Sequence, residues 1–284
     1  MSAPCFEIVP NISEGRDTAI MDACVAAVEA AGARPIHRTS DGVHHRSVIT
    51  AVGDAAAVVA AAIALAGTAQ QHIDLRVHRG EHPRMGALDV LPFVPLAGAT
   101  LEDAATLARQ AGRAIWERWQ IPSILYGAAA SAPHRSNLAD VRRGGFEGLA
   151  ERFALVGCEP DFGDVAHASA GAIAIGARPV LVAFNVELAT GDLGVARTIA
   201  RMLRETGGGL RTLKALPIAL SPTRVQVSFN ITDFRATPLY RVTELVRSLA
   251  REHGIAVVRS ELIGLAPRLA IDDTAAYYLA AGFG

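Results

Sequence analysis

The sequence predicts an α/β protein of two subdomains, each built on a mixed or antiparallel sheet. Short strand-like runs and helical repeats mix along the chain without the regular strand–helix alternation of a barrel. No Gly-x-Gly-x-x-Gly follows a strand, so a dinucleotide-binding fold lacks its signature. The 284 residues are 51% hydrophobic and 19% charged, enough apolar material for two packed cores without staples. No low-complexity linker divides the chain, and the two subdomains, 1–178 and 179–284, are expected to pack tightly.

Phe6-Glu7-Ile8-Val9 reads as a short strand that stops at Pro10. Asn11 to Asp17 carries turn and cap residues, and Ile20, Met21, Cys24, Val25 and Val28 then recur at helical spacing up to Gly32. Strands are expected at 35–39 and 47–52, with the polar stretch from Ser40 to Ser47 joining them. Asp54 can cap the alanine-rich helix that follows. Its apolar run, 55–67, is too short to cross a bilayer and reads as a buried helix. A strand is expected at 73–77 and an extended segment at 88–96, where Pro92 and Pro95 indicate an edge or a bend. Thr100-Leu101-Glu102-Asp103 opens a helix with Leu107, Ala111, Ile115 and Trp119 on one face, ending before Pro122.

A strand at 123–126 follows, bent at Gly127. The stretch 138–153 looks helical, weakened at Gly144-Gly145. A polar loop at 159–164 leads into a tract of small residues, 166–171. The run 180–186 is a buried strand carrying Asn185, and Asp192 can cap the next helix. Gly207-Gly208-Gly209 is a flexible loop without a phosphate-binding fingerprint. Val225, Val227, Phe229 and Ile231 alternate with polar residues, the mark of a half-buried strand. Helices at 239–253 and 272–281 flank a strand at 255–258.

A net charge of -1 offers no general attraction to nucleic acid or acidic membranes. Lys214 is the only lysine, so the positive charge is almost all arginine, the side chain suited to bidentate carboxylate contacts. The three cysteines, Cys5, Cys24 and Cys158, suggest neither a disulfide framework nor a zinc knuckle. They fit a reducing cytoplasm, and the first residues lack the basic start and apolar core of a signal peptide.

One stretch concentrates chemistry. Between apolar segments, five of the seven residues from His78 to Arg84 are charged or imidazole. The residue before a proline is pushed out of helical conformation, so Pro83 presents His82 on an extended segment between Glu81 and Arg84. That weakens a metal-hydrolase reading through His44, His45, His78 and His82, and no metal is expected. A histidine so placed suits proton transfer near neutral pH, although a solvated turn would look the same.

Gly80-Glu81-His82-Pro83-Arg84-Met85-Gly86-Ala87-Leu88-Asp89-Val90 resembles the signature of the glutamate formimidoyltransferases, which include the formiminotransferase part of formiminotransferase-cyclodeaminase. Val9 to Asp17, Arg46-Ser47-Val48, Tyr126-Gly127, Pro160-Asp161-Phe162-Gly163, Ala183-Phe184-Asn185 and Leu262 to Pro267 resemble further family segments, so the likeness runs along the whole chain. The cyclodeaminase part has no counterpart in it.

The resemblance implies transfer of a formimidoyl group between glutamate's nitrogen and N5 of tetrahydrofolate. It also implies two ferredoxin-like-type α/β subdomains with sheets face to face and helices outside, folate in a cleft between them, and a homodimer. The family's catalytic histidine falls on His82. Arg46 and Arg84 are candidate clamps for carboxylates, with His45, Asn11, Tyr126 and Asn185 as further substrate contacts. Gly163, Asp164, Val165, Ala166, His167, Ala168, Ser169, Ala170 and Gly171 match the folate-contacting segment, whose small residues would let backbone amides approach the pterin. The chain departs from the family at His45, usually asparagine, at Ala128, often glutamate, and at the end of the 163–171 loop. These departures leave open a folate-binding protein without turnover, or a transferase with another one-carbon group or acceptor.

Overall fold

A computed structural model describes residues 3–42, 44–80 and 83–281. The chain divides into two compact units, Met1–Arg178 and Pro179–Gly284. The first opens with β1 (Phe6–Ile8) and β2 (Asn11–Ile12), two halves of one strand interrupted at Val9-Pro10. α1 (Thr18–Ala30), β3 (Arg34–Asp41), β4 (Arg46–Gly53), α2 (Ala55–His72) and β5 (Leu88–Pro95) complete a βαββαβ order. Strand pairing runs β3, β4, β1/β2, β5, all antiparallel, which is the ferredoxin-like arrangement. Beyond it, α3 (Leu101–Trp119), β6 (Ser123–Gly127), α4 (Leu138–Val141), α5 (Leu149–Phe153) and β7 (Ile173–Ala177) extend the sheet. β7 joins β5 and β6 joins β7, both in parallel.

The helices start where their caps dictate. Asp17 accepts from the amides of Ala19 and Ile20, and Asp54 from that of Ala57. Thr100 and Asp103 form a reciprocal capping box at α3. On one face of the sheet Ile8, Ile49, Leu91 and Phe93 pack against α1, α2 and α3. On the other, Met85, Val90, Ile124 and Tyr126 pack against Val141, Leu149 and Phe153 of α4 and α5. Covered on both faces, β5 is buried from Leu88 to Val94.

This centrality overturns the edge position that Pro92 suggested. Pro92 accepts from the Val9 amide but has no N–H to return, and the Val9 carbonyl takes a bond from Asn11 Nδ2 instead. The interruption between β1 and β2 thus falls beside the proline that needs it. Residues 73–77 are likewise a turn, not a strand. The Asp74 carboxylate accepts from the Arg76 amide and its carbonyl from the amides of Val77 and His78. The stretch 138–153 splits into α4 and α5, with Gly144 and Gly145 at φ +87 and +60 between them.

α2 is 18 residues long and apolar enough by length and composition to cross a membrane, the one such helix among the described residues. It extends past the expected apolar run, and Val58, Ala61, Ala62 and Leu65 are buried in the first unit's core.

The second unit repeats the plan as β8 (Val182–Leu188), α6 (Leu193–Leu203), β9 (Leu213–Ser221), β10 (Arg224–Ile231), α7 (Leu239–Glu252), β11 (Val257–Ile263) and α8 (Arg268–Ala281). Its antiparallel sheet runs β11-β8-β10-β9. Alternation puts Phe184, Val186, Val227 and Phe229 on the face covered by α6 and α7. β7 and β9 lacked a sequence signal, because β7 is short and glycine-containing and β9 is a largely exposed edge strand holding Pro217. The strand expected at 255–258 begins and ends later, at Val257–Ile263.

Phe93 is fully buried in the strand that joins the antiparallel and parallel halves of the first sheet. Phe93→Ala is expected to lower unfolding stability by about 3–5 kcal/mol, read from urea denaturation.

Candidate active site

The start of β5 carries the centre of the site. Asn11 faces Val90 while Ile12 faces Leu88, so Asp89 is the extra residue of a β-bulge. Its carboxylate is completely buried. One oxygen accepts from the amides of Met85 (2.8 Å) and Gly86 (3.2 Å). The other accepts from Arg46 Nη1 and Arg142 Nη2, each at 2.6 Å. Burial alone would raise the carboxyl's pKa. Arg46, Arg142 and the Met85 amide outweigh it, so the group sits below the ordinary carboxylate range and is ionised. Arg46 Nε also donates to Asn11 Oδ1 (3.0 Å), and Arg142 Nη2 to the Pro83 carbonyl. Asp89 therefore ties β2, β4, β5 and the end of α4 together.

A pocket of about 530 Å³ opens beside this cluster, with Arg84, Arg142, Arg143, Gly145 and Glu147 in its lining. Arg84 makes a two-pronged pair with Glu147, at 2.9 and 2.8 Å, and its guanidinium lies 5.8 Å from the centre of the Phe146 ring. Arg142, Asp89 and Glu147 were not singled out from the sequence. Glu147 and Arg142 come from the interrupted 138–153 stretch, where no periodicity marks them.

His45 adopts a left-handed φ of 52°. Its Nδ1 accepts from the Gly15 amide (3.1 Å) and lies 3.3 Å from Glu14, and its ring lies on His78 with centroids 4.2 Å apart. His78 Nε2 donates to the His45 carbonyl (3.1 Å). The two rings overlap rather than converge on a point. Glu14 in turn accepts from the amides of Gly15, Arg16 and Asp17. Burial lowers the pKa of both imidazoles. Glu14 opposes this at His45 and Arg16 adds to it, while at His78 the His45 carbonyl opposes it. Among the described residues, no group of three or more His, Cys, Asp or Glu is placed to hold a metal ion.

Tyr126 is buried behind the cluster. Burial pushes its hydroxyl up to about 12, and it bonds the Arg178 guanidinium. Asn185 belongs to the second unit, on the β8 face away from that unit's core, aligned with Ser228 and Glu261. The 163–171 loop is bonded to itself and to its neighbour. The amides of Ser169 and Ala170 donate to His167 Nδ1, and His167 and Gly171 exchange backbone bonds at 2.9 Å. Leu75, Ala87 and Ala172 donate across to Ser169, Ala170 and Met85. The amides of 167 and 169–171 are thus already engaged, and Asp164, Val165 and Ala168 are the exposed residues. His82 and Glu81 lie outside the described residues.

Two ferredoxin-like α/β units in succession, the first with an arginine-lined pocket over a buried carboxylate, describe an α/β protein suited to holding a small anionic molecule. Sequence comparison names the family. Residues 5–178 match the formiminotransferase domain, N-terminal subdomain, and residues 183–282 match the formiminotransferase domain. The chain belongs to the formiminotransferase family. It is 42% identical over 280 residues to a glutamate formimidoyltransferase of Streptococcus pyogenes serotype M1, covering 98% of this chain and 94% of that one. A Thermoplasma acidophilum protein of the same name is 44% identical, covering 96% and 91%. The formimidoyltransferase-cyclodeaminase of Rattus norvegicus is 39% identical over 96% of this chain, which spans about half (52%) of its length.

Removing Asp89 strands two largely buried guanidinium groups. Asp89→Ala is expected to cost about 3–5 kcal/mol of stability, measured by chemical denaturation.

Acid should act through the imidazoles. The folded pKa values of His45, His78 and His167 all lie below the ordinary 6.5, so in this range the unfolded chain binds more protons than the folded one. Their contribution is complete above about pH 6.5 and is lost as pH falls through the lowered folded values. A thermal midpoint that declines from about pH 7 to about pH 5.5, with a shallower decline in His78→Asn, is the expected outcome.

Proposed function

We propose that this protein is a glutamate formimidoyltransferase, moving a formimidoyl group between N-formimidoyl-L-glutamate and N5 of tetrahydrofolate. The observation that carries the reading is the match, across nearly the full length of both chains, to two proteins of that name. Tetrahydrofolate is then the co-substrate, histidine degradation the setting, and a cytoplasmic homodimer the working form.

The chemistry asks for one proton carrier and a grip on carboxylates. When the amine attacks the amidine-like carbon, a tetrahedral intermediate forms. The incoming nitrogen must lose a proton and the departing nitrogen must gain one. In this reading His82 does both in turn, help worth about 10²–10⁴-fold. Arg84, in the pocket lining, contacts a substrate carboxylate. Arg46 supports the site from behind through Asp89 and Asn11. His45, Tyr126 and Asn185 shape the remainder, and the exposed part of the 163–171 loop meets the pterin.

A transferase with a different acceptor is the second reading, favoured by His45. Where the family usually has asparagine, this chain holds an imidazole fixed between the Gly15 amide and the His78 ring.

Purified protein supplied with N-formimidoyl-L-glutamate and tetrahydrofolate is expected to produce glutamate and 5-formimidoyl-tetrahydrofolate, followed by chromatography. Binding of both without transfer would refute the reading, and turnover only with another formimidoyl amino acid would move it to the second. His82→Ala is expected to reduce kcat by about 10²–10⁴-fold while leaving tetrahydrofolate binding near wild type. Residual transfer at about a tenth of wild type or more would remove His82 from its role.

A further inference from the structure

Three features of the pocket coincide. Nε of Arg84 and Nε of Arg142 are both buried without a hydrogen-bond partner, and both residues line the same cavity. A buried guanidinium N–H left unbonded is a donor waiting for an acceptor. The other ends of both side chains are fixed: Arg142 Nη2 by buried Asp89 and the Pro83 carbonyl, Arg84 by both oxygens of Glu147. Those two anchors differ. Asp89 is fully buried, whereas the Glu147 side chain is 66% exposed. A pair whose carboxylate stands in water gives way to another anion more readily than one buried on both sides. The Glu147 carboxylate already occupies the fork of Arg84 in the geometry a ligand carboxylate would use. Arg143, paired with Asp140, adds a third guanidinium to the lining.

We infer that this pocket is a carboxylate subsite in which Arg142 is a binding residue and Glu147 is a displaceable internal occupant. The ligand's carboxylate exchanges for that of Glu147 at Arg84 and lies against the Arg142 guanidinium in the same lining. Asp89 is a positioning residue: it aims Arg142 and keeps its charge in place. The inference deepens the transferase reading and rests on it for the identity of the ligand. The carboxylate comes either from the formimidoyl amino acid or from the glutamyl tail of the folate.

The test is the opposed behaviour of two variants. Glu147→Gln removes the competing charge from an exposed position, and Arg142→Gln removes the receiving group. Glu147→Gln is expected to lower KM for the carboxylate-bearing substrate about 3- to 10-fold, with kcat little changed. Arg142→Gln is expected to raise the same KM about 10- to 100-fold, with Arg142→Lys in between. A change confined to N-formimidoyl-L-glutamate assigns the subsite to the amino acid. A change seen with tetrahydrofolate but not with tetrahydropteroate, which lacks the glutamyl tail, assigns it to the folate.

Should the protein show no transfer at all, calorimetric titration with glutarate alone still decides the subsite. Glu147→Gln is expected to bind it more tightly than wild type, and Arg142→Gln more weakly. If Arg142→Gln does not fold, the Glu147→Gln arm stands alone. A Glu147→Gln protein with unchanged or weakened KM and glutarate affinity would overturn the inference.

Discussion

A single buried carboxylate holds the first unit's working end together. Asp89 meets two adjacent backbone amides just before it and two guanidinium groups from distant parts of the chain. A carboxylate in that position would be intolerable without its partners, and two arginines would be equally costly without the carboxylate. The bulge at the start of β5 makes the arrangement possible, because it turns Asp89 toward the neighbouring groups. The cluster fixes where α4 ends, and so where the pocket beside it opens.

Much of the fold was legible because it is written locally. Asp54, Asp192 and the Thr100–Asp103 box mark helix starts within a few residues of themselves. Alternation marks β10 in the same way. The site was legible only where a motif was continuous, as from Gly80 to Val90. Arg46 was named from its own short motif, but its meeting with Asp89, and the roles of Arg142 and Glu147, depend on distance in sequence: Arg46 and Arg142 lie 43 and 53 residues from Asp89, and Glu147 lies 63 from Arg84. No spacing rule connects such residues, and only the closed sheet brings them together. Pro92 misled for a related reason. Its missing donor is compensated by Asn11, a residue on another strand.

The arginine bias of the chain acquires a physical meaning here. Arg46 and Arg142 both reach one carboxylate oxygen while directing other N–H groups elsewhere, and Arg84 meets both oxygens of Glu147. A lysine carries its donors on one nitrogen and lacks the planar fork that meets both oxygens of a carboxylate side by side.

Gly86 and Gly171 lie against each other's strands so closely that a methyl group on either would fall within 2.2 Å of a neighbouring carbonyl oxygen. Backbone bonds on both sides of this crossing join the 163–171 loop to the segment that follows Pro83. The two therefore behave as one mechanical piece. A side chain added at either glycine would force the loop and the segment leading from Arg84 apart, and disturb both at once.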